Sequence, residues 1–137
     1  MNPIDGLRRP RDPEIAGYWA EFMAFETEEG QVLRAFQLGG RTAATRVRAL
    51  AWLRLRARLA ARNMAEQDAS EAVFSWLCDR QAAVQALTYV TAGEMYLHLV
   101  TEGATHYEFS IRPVFLPAAA RGERPESVVE FIAKGTA

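Results

Sequence analysis

A chain of 137 residues, half of them hydrophobic and a tenth aromatic, is too rich in apolar side chains for a disordered protein and falls within the size of one domain. No apolar run approaches the roughly 20 residues of a membrane span, the polar, proline-broken stretch from Met1 to Pro13 lacks the h-region of a signal peptide, and the single cysteine, Cys78, excludes an intramolecular disulfide or a multi-cysteine zinc site. The formal net charge of -1 hides a split, because Gly30 to Ala65 holds eight arginines and no acid while the remainder carries seventeen acids against eight bases.

Residues 1–12, with Arg8, Arg9 and Arg11 beside Pro10, form a basic N-terminal arm ahead of a single α+β domain over 13–137. Asp12, Pro13 and Glu14 are a helix-start signal. The stretch from Ile15 to Leu38 has two readings. At helical spacing Ile15, Tyr18, Trp19, Phe22 and Phe25 share a face; as strands, 18–27 and 31–38 flank a turn at Glu28-Glu29-Gly30. The aromatic density and the phrase Thr27 to Leu33 favour a short helical turn over 13–17 followed by a hairpin over about 18–38, ended by Gly39-Gly40.

From Thr42 the composition turns to Ala, Leu and Arg, which predicts a helix over 42–63. Its wheel carries two apolar stripes: Leu50, Leu53 and Ala57 on one side, and Trp52, Leu55 and Leu59 on the other. Such a helix is sandwiched, between its own sheet and second helix or between its own core and a partner. Asp68 with Glu71 resembles a capping box, so a second helix is expected over 69–90, with Val73, Trp76, Leu77, Val84 and Leu87 in one stripe around Arg80 and a stop at Gly93. A second hairpin over 94–112 comes next. Its strand Tyr107, Phe109, Ile111 alternates with polar residues, and a three-residue loop Glu102-Gly103-Ala104 would pair Leu99 with Tyr107, Leu97 with Phe109 and Met95 with Ile111. Residues 116–126 read as a loop, and 127–134 as a final strand or one or two helical turns. The expected fold is α+β: an antiparallel sheet from two hairpins with two long helices inserted between them.

The candidate contact residues are Arg41, Arg48, Arg54, Arg58 and Arg62. Arg54, Arg58 and Arg62 fall on one line, spanning about 12 Å at the helical rise, and arginine suits bidentate contacts with phosphate or carboxylate. Three partners compete for them: the chain's own acids at Glu21, Glu26, Glu28, Glu29, Glu66, Asp68 and Glu71, a nucleic-acid backbone, or an acidic surface on another protein. Gly39-Gly40-Arg41-Thr42 offers a weak anion cradle at a helix start. His98, His106, Glu108 and Tyr96 would share the outer face of the second hairpin, a solvated surface with no identifiable nucleophile. Cys78 reads as a small, half-buried hydrophobe. The chain lacks HExxH, GxSxG, CxxC, GxGxxG and ribonucleoprotein aromatic motifs. Together these features lead to an expected non-enzymatic, cytoplasmic adaptor or inhibitor without cofactor or metal. Its partner would be a protein or ribonucleoprotein, it could itself be a homodimer, and nucleic-acid binding through the Arg41 to Arg62 helix is the alternative.

Overall fold

The computed structural model describes residues 14–116. The basic arm at 1–12, most of the 116–126 loop and the segment 127–134 lie outside the described residues. Among the described residues four strands and three helices succeed one another as β1 (Ile15–Glu28), β2 (Gln31–Ala43), α1 (Arg46–Asn63), α2 (Gln67–Cys78), α3 (Arg80–Thr91), β3 (Tyr96–Glu102) and β4 (Thr105–Phe115). The sheet is antiparallel in the order β2-β1-β4-β3, with the helices inserted between its two hairpins. The predicted α+β architecture is therefore the observed one.

The first difference lies at the start. The expected helical turn is replaced by strand from Ile15 onward. β1 occupies the middle of the sheet, where both faces are covered or partly covered, so apolar residues recur on both sides and mimic helical spacing. Tyr18, Ala20, Phe22 and Ala24 alternate with Trp19, Glu21, Met23 and Phe25, and the first set faces the helices. Glu29 and Gly30, at φ 50° and 78°, form the two-residue loop between β1 and β2, with the two positive dihedrals that a type I′ turn requires.

Gly39-Gly40 does not end β2. The strand runs through both glycines to Ala43, and α1 begins at Arg46, not Thr42, capped by the Thr45 hydroxyl, which accepts from the Arg48 amide at 3.2 Å. Consecutive strand residues point to opposite faces, so each glycine is a seat for one indole. A Cβ at Gly39 would meet the Trp52 ring of α1 at 3.3 Å, and a Cβ at Gly40 would meet the Trp19 ring at 2.4 Å. Trp19 is fixed there by donating Nε1–H to Glu21 at 3.1 Å, and Glu21 also accepts from Gln37 at 3.0 Å. All three tryptophans are drawn in: Trp19 is buried, and Trp52 and Trp76 are half-buried.

The predicted helix over 69–90 is two helices. Asp79 takes an extended conformation and its carboxylate accepts from the Gln81 and Ala82 amides at 2.9 and 3.3 Å, capping α3. This break rephases the wheel. Val73 and Leu77 face inward from α2 and Ala82, Ala86 and Val90 from α3, while Val84 and Arg80 are exposed.

The second hairpin turns through two residues, Gly103 and Ala104, with Gly103 at φ 58°, the place a type II′ turn reserves for glycine. Val100 therefore pairs with Tyr107, His98 with Phe109 and Tyr96 with Ile111. Relative to the expected three-residue loop the register moves by one, and every β3 side chain changes face. Tyr96, His98 and Val100 look toward the helices, while Met95, Leu97 and Leu99 are left exposed. The core lies between the sheet and the three helices, with Phe22 stacked on Phe109 (centroids 4.6 Å) and Leu53, Val73, Val90 and Ile111 fully enclosed.

In Gly40→Ala the buried, hydrogen-bonded Trp19 ring must move, at a cost of about 1–3 kcal/mol of unfolding free energy. Gly39→Ala should cost less, since the contact it creates is near van der Waals range and alanine limits the unfolded chain. Urea unfolding checks both. Equal losses for the two variants, or no coupling between Gly40→Ala and Trp19→Leu in a double-mutant cycle, would contradict the seat.

A candidate docking face on the arginine-rich helix

α1 is an 18-residue helix whose inner side is made of Ala49, Leu50, Leu53, Ala57 and Ala61, all buried. The three alanines keep that side thin and let the backbone approach the sheet. The inner stripe predicted from the wheel is present; of the outer one Leu55 and Leu59 keep their place, while Trp52 leaves it to pack against Gly39 of β2. The inner one is the core. The outer one consists of Val47, Ala51, Leu55 and Leu59, a row at i, i+4 spacing that runs about 18 Å along the helix. Val47 is 60% exposed, Leu55 55% and Leu59 42%.

Two parallel rows flank this ridge. On one side run Arg54, Arg58 and Arg62; on the other, Arg48, Trp52 and Arg56, with the Arg56 guanidinium 5.4 Å from the Trp52 ring centroid. Shallow troughs lie along the ridge. One is lined by Arg41, Arg48, Ala51, Trp52 and Leu55, the other by Val47, Ala51, Arg54, Leu55 and Arg58. Arg41 reaches the first trough from β2, where it pairs with Ala20, and not from a helix start. The expected anion cradle is absent for the same reason, since Gly39-Gly40 is strand interior.

Arg58, Arg62, Arg48 and Arg41 are exposed; Arg54 is diverted. It is half-buried and donates Nη2–H to the Leu77 carbonyl at 2.6 Å, satisfying a terminal acceptor of α2. The line Arg54, Arg58, Arg62 thus has two members fully available for a contact. Among the described residues the one ion pair joins Arg34 to Glu26 at 3.8 Å. The acids expected to neutralise α1 are engaged elsewhere or lie farther away: Glu21 accepts from Trp19 and Gln37, and Glu71 from Gln67. Val47 and Ala51 are legible as members of the Leu55 row, but a wheel read in two stripes joins Trp52 to that row in their place.

The histidines are separated by the sheet. His98 faces the helices, stacked on Trp76 at 4.4 Å between centroids, and Trp76 donates to the Tyr96 hydroxyl at 2.8 Å. His106 lies on the opposite face, bridged to Thr27 at 3.1 Å and Thr101 at 2.9 Å, with Glu108 on that same face. The shared outer surface for His98, Tyr96, His106 and Glu108 therefore does not exist, and a His98–Glu108 pair cannot form. Cys78 is exposed at the end of α2, not half-buried. No group of three His, Cys, Asp or Glu that could hold a metal occurs among the described residues, and none of their helices is long and apolar enough to cross a membrane.

Burial holds the His98 imidazole below its ordinary pKa of 6.5. In the unfolded chain His98 takes up its proton near 6.5 while the folded chain resists it, so the stability it contributes is complete above 6.5 and is lost as pH falls through the folded pKa. The urea midpoint should drop between about pH 7.5 and pH 5, and His98→Phe, which can keep the stack on Trp76, should flatten that drop. An unchanged slope in the variant would contradict the assignment. No protein-family model matches this chain, and neither do any of the curated proteins or solved structures with which it was compared.

Proposed function

We propose that this chain is a non-enzymatic interaction protein that docks a protein partner on the outer face of α1. The observation that carries this is the exposed ridge of Val47, Ala51, Leu55 and Leu59 bracketed by arginines. Burial of such a row would be favourable by about 25 cal/mol per Å² of apolar surface, and the surrounding arginines have no acid within ion-pair distance among the described residues. Nucleic acid is the second reading, and the ridge disfavours it. A phosphate backbone rewards a continuous cationic strip, whereas here leucine separates the two arginine rows and Arg54 is already held by Leu77.

The double variant Leu55→Gln/Leu59→Gln removes the ridge without touching the core. Its unfolding free energy should stay within about 0.5 kcal/mol of the parent per site, while the complex recovered with the parent chain from nuclease-treated lysate is lost. Retention of that complex by the variant would sink the proposal. So would a parental complex that nuclease dissolves while Arg58→Glu, and not the glutamines, abolishes it.

A further inference from the structure

The geometry points to an acidic amphipathic α-helix of a partner protein as the segment that lies on α1; the inference rests on the docking reading above and names its occupant. Two observations select it. The first is backbone chemistry. A peptide bound in extended form needs a row of free N–H and C=O groups to pair with, and the face of α1 offers none, because a helix closes its own hydrogen bonds from residue to residue four places back. What the face does offer is three parallel ridges at i±4 spacing with grooves between them, the surface into which the side-chain ridges of another helix pack. Ala51 lies in the centre of the apolar ridge and is exposed, so the approach is closest there. The length also fits, since about 18 Å from Val47 to Leu59 accommodates three helical turns.

The second observation is charge. α1 carries six arginines and no acid, and its first turn has no acidic residue. Arg48 at one end of the ridge and Arg58 and Arg62 at the other are exposed, on either side of the apolar row. A helix with leucine-like residues along one stripe and carboxylates on both shoulders meets this pattern point for point, and a bidentate guanidinium–carboxylate contact is available at each shoulder. A basic or uncharged helix would leave the arginines facing like charge or no counter-charge, which selects against it.

The test titrates the full chain with a synthetic peptide of roughly 20 residues, long enough to be helical, with leucine at one i, i+3, i+4, i+7 stripe and glutamate on both flanks. A second peptide has the same composition in scrambled order. Calorimetry should give saturable one-to-one binding of the first peptide, a gain of helical circular dichroism on mixing, and affinity that falls as salt is raised. Leu55→Gln/Leu59→Gln and Arg58→Glu/Arg62→Glu should each weaken it by about tenfold or more, with far-ultraviolet spectra confirming that both variants are folded. Equal binding of the scrambled peptide would overturn the inference, because attraction without helical register would then suffice. Displacement of the peptide by oligouridylate at lower concentration, insensitive to the glutamine variant, would overturn it in favour of nucleic acid. A dimer by light scattering that Leu55→Gln/Leu59→Gln dissolves, with no peptide binding, would assign the ridge to a second copy. If the peptide fails while the glutamine variant still strips the nuclease-resistant complex, the docking face stands and its occupant is something other than an acidic helix; if neither effect is seen, both fall.

Discussion

The close seating of α1 on the β1–β2 hairpin is the contact on which the other features depend. It requires small residues on both sides. Ala49, Ala57 and Ala61 thin the inner face of the helix, and Gly39 leaves room for the Trp52 ring against the strand. With the helix held this close, its axis and rotation are fixed, and the rotation decides which side chains are core and which are surface. Val47, Ala51, Leu55 and Leu59 are exposed because Ala49, Leu50, Leu53 and Ala57 are buried. α2 and α3 then complete the cover over β3 and β4, and α2 is tied to α1 by the Arg54 contact to Leu77 and by the Ser70 hydroxyl on the Ala61 carbonyl at 2.8 Å.

Much of this is readable from the residues and some of it is not, for definable reasons. The architecture, the helix through Asn63 and both hairpins are dictated by composition and alternation. The start of β1 is obscured because a central strand with apolar residues on both faces has no single period. Gly39-Gly40 looks like punctuation, since only tertiary contact reveals that two indoles occupy the space where side chains would be. The Asp79 cap is present in the letters Asp-Arg-Gln but is masked by an apparently continuous stripe, whose anomalous Arg80 is the sign of a break. The β3 register turns on one residue of loop length. Hydrophobicity favours placing Leu97 and Leu99 inside, and the glycine at Gly103 sets the shorter turn and places Tyr96, His98 and Val100 there instead.

Of the arginines that stand out in the sequence, the structure gathers Arg41 with Arg48 and leaves Arg58 with Arg62 exposed, while Arg54 serves the fold. Charge counting alone cannot make that distinction, because a guanidinium that caps a carbonyl and one that awaits a partner are the same letter. The apolar row between them is the more informative feature. Cations alone attract any anion within a Debye length, and a leucine ridge restricts the choice to partners that bring apolar surface of their own.

Among the described residues β2, thirteen residues long, is an outer strand of the sheet. Its pairing with β1 slips twice, between Phe22 and Met23 and between Glu26 and Thr27, and at each slip the extra residue is a leucine of β2, Leu38 or Leu33. An unbroken edge of this length would present a regular ladder of donors and acceptors to any passing strand, including its own copy. The two inserted residues throw that ladder out of step and deepen the local twist. In-register stacking of flat strands, which fibril growth needs, is thereby disfavoured along β2.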